Sequence, residues 1–150
     1  MQHANLSAQI PCPIARSLEI VGEWWTLLIV RDALLGARRF DEFKATGIAD
    51  NILAARLKKL VAEGVLKKRA YQQHPVRYDY ALTMKGRALA PVVIALRTWG
   101  KRFTKGPDSS GVTHSACGHE LTAALYCAEC SRVALGDDVR AVPARSERAS

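Results

Sequence analysis

The chain has 150 residues, 49% of them apolar, and a formal net charge of +8, which suits one ordinary domain with a real core plus at most a small appendage. Its longest apolar run, WWTLLIV, is cut by Arg31 and Asp32 and is too short to span a membrane. Residues 1–10 lack the charged-then-apolar pattern of a secretory signal, so a cytoplasmic location is expected. The charge is concentrated: Arg31 to Lys105 holds 17 Lys and Arg against 6 Asp and Glu, while residues 1–30 and 107–150 are each slightly acidic. Such a block suits an anionic polymer, nucleic acid first, although charge alone accounts equally well for a merely solvated basic surface.

In chain order, a small helix is a candidate around Ala4–Ile10. Pro11 and Pro13 bracket Cys12, and Pro13 suits the first turn of a helix whose apolar face is Ile14, Leu18 and Val21, ending at Gly22. WWTLLIVRDALL is the next helix, closed by Gly36; it is apolar on most sides and is expected at the centre of the core. Trp24 and Trp25 are assigned to core and dimer packing ahead of a ligand pocket. RRFDEFKATG gives a short helix with Phe40 and Phe43 on one face and Gly47 at its end. Ile48 to Glu63 forms a stronger helix with Leu53, Leu57 and Leu60 buried, Asn51, Ala55 and Lys58 opposite, and Ala54 and Lys59 on the flanks.

Two strands follow, VLKKRAYQQ and VRYDYALT, the second alternating Val76, Tyr78, Tyr80 and Leu82 against Arg77, Asp79 and Ala81. His74 and Pro75 occupy the turn. Thr83 is an N-cap for a last long helix, about 83–104, carrying Leu89, Val92, Val93, Leu96, Trp99 and Phe103. That apolar face is wider than a small domain needs, so part of it is expected to meet another chain. KGPDSSG reads as a linker, and VTHSACGHELTAALYCAECSRVALGDDVR as a small appendage containing a hairpin. The division is a winged unit over 1–104, a linker over 105–111, the appendage over 112–140 and a disordered polar tail over 141–150.

This order describes a mainly α chain with a small β-hairpin wing, a winged helix-turn-helix. FDEFKATG is then the positioning helix, residues 49–63 the recognition helix for a major groove, and residues 65–82 the wing for adjacent backbone or minor groove. Asn51 lies near the helix N-terminus, where its amide can read an adenine edge. Ala54 and Ala55 permit close approach, while Lys58 and Lys59 suit phosphates. Arg38 and Arg39 open the preceding helix as further phosphate ligands, and Gln73, His74 and Arg77 surround the wing tip. Taken singly, each residue could equally be a solvated surface group.

The segments CPIARSLEIVGEWWTLLIVRDALLG, RRFDEF, GIADNILAARLKKLVAEGVLKKRAY and VRYDYALTMKGRAL, with Trp99, resemble the bacterial HxlR-type transcriptional regulators over about residues 10–104. The Cys-Pro start, the Gly-x-Trp-Trp step and the Tyr-x-Leu-Thr-x-x-Gly exit carry the resemblance. It implies a homodimer on operator DNA, paired through the N-terminal segment and the last helix, and acting as repressor or activator. Some members sense electrophiles or oxidants at the position of Cys12. A thiol at a helix N-terminus is disposed toward thiolate, although most cysteines simply pack.

The appendage departs from the minimal pattern. His114-x-x-Cys117-Gly118 and Cys127-x-x-Cys130 read as two metal knuckles for a structural Zn²⁺, with His119 as the alternative to His114. A zinc-free hairpin or a Cys127–Cys130 disulfide stays open, and Ser131 stands where a knuckle often has glycine. Two other functions compete with DNA binding: a protein-interaction adaptor, and a Cys12-based redox enzyme, for which no partner constellation is evident.

Overall fold

The computed structural model describes residues 12–108, 111–134 and 136–140. The expected helix at Ala4–Ile10 and the tail over 141–150 lie outside them. Helix α1 (Pro13–Val21) starts on Pro13, as its fixed φ favours, and Gly22 closes it. Helix α2 (Trp24–Leu34) follows directly, then α3 (Phe40–Lys44) and α4 (Asp50–Ala62). Strands β1 (Leu66–Gln73) and β2 (Val76–Leu82) form an antiparallel hairpin, with a bulge between Ala70 and Gln72. Ile48, expected inside the recognition helix, precedes it as a buried anchor of the turn.

The core is one cluster in which Ile29 and Val30 of α2, Phe43 of α3, Leu53, Leu57 and Leu60 of α4, Tyr80 and Leu82 of β2, and Val93 meet. Full burial of such side chains is worth roughly 1.5–3 kcal/mol each, as an upper estimate. Trp25 packs against this cluster, whereas Trp24 is 79% exposed. The apolar face read on α1 divides in the same way: Val21 is buried, while Ile14 and Leu18 face outward.

One expectation needs correction. The last helix is not continuous from Thr83. Thr83 accepts a hydrogen bond from the Gly86 N–H and caps a single turn, α5 (Met84–Arg87); α6 (Ala90–Phe103) then starts afresh. Pro91 is the physical reason. It has no N–H to give to the Arg87 carbonyl, and its ring would clash there, so the helix breaks and Pro91 opens the next one. Gly86 is also fixed by contact, because a β-carbon at that position would run into the Val65 carbonyl oxygen. Thr83 and Gly86 together thus seat the exit of the hairpin on the start of β1.

The remainder of the described chain is a small unit beside α6. Thr113 bridges Glu120, and β3 (Leu125–Cys127) pairs with β4 (Arg132–Ala134). Arg97 and Lys101 of α6 hold it through Asp108 and Glu120. The Glu120 carboxyl is held below its ordinary range, first by its hydrogen bond from Arg97 and then by Lys101. Among the described residues, no helix is long and apolar enough to cross a membrane.

Candidate nucleic-acid interface

Helices α3 and α4 are joined by a turn in which Gly47 takes φ +83, a conformation glycine adopts without strain. Phe43 below the turn and Ile48 within it are both buried, which sets the angle at which α4 leaves. With Leu53, Leu57 and Leu60 turned into the core, Asn51, Ala54, Ala55 and Lys58 are left on the exposed side of α4. Its first turn is steadied by Asp50, whose carboxylate meets Lys44 of α3 at 2.9 Å.

Lys59 does not share that exposed face. Its Nζ donates to the Glu19 carbonyl oxygen at 2.6 Å, so it ties α4 to the end of α1 and neutralises a helix C-terminus. Arg56 is likewise engaged, with Glu23 at 2.9 Å. Sequence spacing placed Lys59 on a flank; which way a flank lysine turns depends on the neighbouring helix, which spacing does not contain.

Arg38 and Arg39 lie on the exposed strand-like segment before α3, joined to the hairpin. The Tyr80 N–H donates to the Arg38 carbonyl at 2.7 Å, and Arg39 bridges Asp79. The Arg39 guanidinium lies 4.9 Å from the centre of the Tyr71 ring and 3.9 Å from the Asp79 carboxylate. The backbone N–H groups of both arginines donate to Glu42 Oε2, which caps α3 and holds the Glu42 carboxyl below its usual value, Arg38 contributing most. This segment therefore joins the positioning helix to the wing, and both guanidinium groups stay exposed.

In the hairpin, alternation buries only the base. Tyr80 and Leu82 are in the core, but Val76 and Tyr78, on the same side of β2, are exposed, since none of the described residues covers the outer half. Gln73, His74 and Arg77 are exposed at the tip, where the Gln72 amide donates to the His74 carbonyl at 3.0 Å. Three further basic residues belong beside them. Lys67, Lys68 and Arg69 are exposed along β1, with Lys68 Nζ 3.6 Å from the centre of the Tyr78 ring. Their run, LKKR, is plain in the sequence, but strand alternation alone does not show that all three side chains stay exposed.

Cys12 stands apart from these residues. It is the half-buried N-cap of α1, and its side chain makes no capping hydrogen bond. The knuckle residues come together as two pairs and not as a set of four. His114 Nδ1 lies 3.2 Å from Cys117 Sγ. Cys127 and Cys130 flank one tight turn, where the Cys130 N–H, its side chain and the Glu129 N–H hold the Cys127 thiol below its ordinary value. Among the described residues, no three His, Cys, Asp or Glu side chains lie close enough to share one metal ion.

Residues 20–108 match the model of the HxlR-like helix-turn-helix family. An uncharacterized HTH-type transcriptional regulator of Mycobacterium bovis is 37% identical over 120 residues, 78% of this chain and 76% of its own. Among solved structures, PA1607, a proposed transcription factor, has a TM-score of 0.75 and 37% identity, covering 90% of this chain and 96% of its own. The redox regulator HypR in its reduced form has a TM-score of 0.57 and 30% identity, covering 61% of this chain but 92% of its own. The helix-turn-helix geometry and these similarities agree: the chain belongs to the HxlR-like helix-turn-helix family of transcriptional regulators.

Proposed function

We propose that this regulator works as a homodimer on operator DNA, with α4 in the major groove and the β1–β2 wing on the neighbouring backbone or minor groove. The observation that carries this reading is the exposed side of α4. A helix whose buried stripe is three leucines presents an amide and two methyls in its N-terminal half and an ammonium beyond its midpoint, all on its free side. Those groups match the readable features of a major groove: Asn51 for an adenine edge, Ala54 and Ala55 for thymine methyls, and Lys58 for phosphate. Arg38, Arg39, Lys67, Arg69 and Arg77 supply sequence-independent attraction on either side.

Pairing of two chains is supported by α6. Val92, Leu96, Trp99 and Phe103 recur at intervals of four, three and four and are 44%, 52%, 60% and 61% exposed. That spacing is an apolar seam suited to a second helix. Trp99 and Phe103 already meet, with ring centres 5.6 Å apart and planes tilted by 44°, so the surface is partly preorganised.

Asn51→Ala tests the reading role. The variant is expected to bind its operator about 1–3 kcal/mol more weakly while keeping its affinity for random duplex. An unchanged operator-to-random ratio in a fluorescence titration would remove Asn51 from the set of base readers.

A further inference from the structure

Two turns in the appendage are built alike. In the first, His114 and Cys117 are three residues apart, and the N–H groups of Cys117 and Gly118 return to the His114 carbonyl at 3.3 and 2.7 Å, with Gly118 at φ +73. In the second, Cys127 and Cys130 are three residues apart, and the Ser131 N–H returns to the Cys127 carbonyl at 2.9 Å, with Ser131 at φ +56. Ser131 is the sole non-glycine with positive φ among the described residues. A β-carbon is disfavoured in that conformation, yet the turn keeps its form. A turn of this shape points two side chains three residues apart toward one spot, and two such turns supply four ligands.

Apart from its ion pairs to α6, the described part of the unit has no core of its own. Among the described residues from 111 to 140 none is buried, and Leu125, Tyr126 and Val133 are each more than half exposed. Strands of three residues with outward-facing side chains do not stabilise themselves by apolar burial, and units this small ordinarily need a disulfide or a metal. Here Cys117, Cys127 and Cys130 are all free thiols. The family match ends at residue 108, so the unit lies outside the matched helix-turn-helix region.

We infer that the appendage binds one structural Zn²⁺ through His114, Cys117, Cys127 and Cys130. Three thiolates and one imidazole complete a tetrahedral shell with no open position, so the ion holds structure and supplies no chemistry. His114 and not His119 is the imidazole ligand, because its ring already meets Cys117. The His114–Cys117 pair is anchored near α6 through Glu120. Zinc would draw the β3–β4 hairpin, with Cys127 and Cys130, onto that anchored pair. Binding releases the thiol protons to solvent.

The test is metal content of the full chain, purified without chelator, followed by removal of metal and titration with Co²⁺ and Zn²⁺. About one zinc per chain is expected, together with a Co²⁺ adduct showing tetrahedral bands and thiolate-to-metal charge transfer. Cys117→Ser, Cys127→Ser and His114→Ala should each lower the affinity by more than about tenfold. His119→Ala, Cys12→Ser and Ser131→Gly should retain the metal, with circular dichroism confirming that the winged unit is folded throughout. Zinc below about a tenth of an equivalent with an octahedral cobalt spectrum, a Cys127–Cys130 disulfide in the isolated chain, or wild-type affinity in the His114 and Cys127 variants would overturn the assignment.

Discussion

Replacing Phe43 with alanine is expected to lower folding stability by about 3–5 kcal/mol, read from the urea midpoint at fixed protein concentration. The side chain is fully buried and is the anchor of a helix only five residues long. It meets Tyr80 edge-on, with ring centres 6.4 Å apart and an interplanar angle of 80°. An aromatic pair of this kind adds roughly 0.5–1.5 kcal/mol beyond simple burial. Tyr80 sits where the wing enters the core, and burial raises its phenol pKa above the ordinary value. One cavity at Phe43 therefore loosens the positioning helix and the base of the wing together. A loss below about 1 kcal/mol would mean that the space collapses or that Phe43 is not central.

The second large effect is expected at the outer seam of α6. The double variant Leu96→Asp, Trp99→Asp should sediment as a monomer and lose about 10²-fold or more in affinity for a two-half-site operator, because the second half-site no longer binds as an intramolecular event. Both positions are more than half exposed in the single chain, so its secondary structure should be retained. A mass that stays unchanged on substitution would assign this stripe to another contact. Its neighbourhood is not featureless: a cleft of about 280 Å³ runs between α2 and α6, with Leu27, Leu28, Leu35, Val93, Leu96, Arg31, Arg97 and Val112 in its lining. Leu96 thus borders both the cleft and the seam.

Much of this arrangement is legible from local chemistry. The Leu53, Leu57 and Leu60 stripe, the Pro13 start of α1 and the glycine stops after α2 and α3 follow from periodicity and from what proline and glycine permit. The exposed face of α4 follows as well, since a helix with one buried stripe has only one free side. What the sequence hides is set by neighbours. Lys59 turns to α1 because the Glu19 carbonyl lies within its reach. Val76 and Tyr78 keep the strand alternation but lose the burial, because the hairpin outruns the body beneath it. The break before α6 was legible in Pro91, yet the strong apolar pattern on both sides of it masked a helix start. The Cys and His spacing announces two knuckles, but spacing says nothing of the distance between them.

The most direct test of DNA reading is selection of full-length protein on a randomised duplex library, followed by fluorescence anisotropy on the enriched sequence, its scramble and a salt series. A specific regulator should enrich a site with two related halves and prefer it to the scramble by about 10³-fold or more. Its affinity should fall steeply with salt as the lysines and arginines of α4 and the wing displace counterions. No enriched sequence, with weak and equal binding to both duplexes, would contradict operator reading by α4 and would favour a protein-interaction role for the same surfaces.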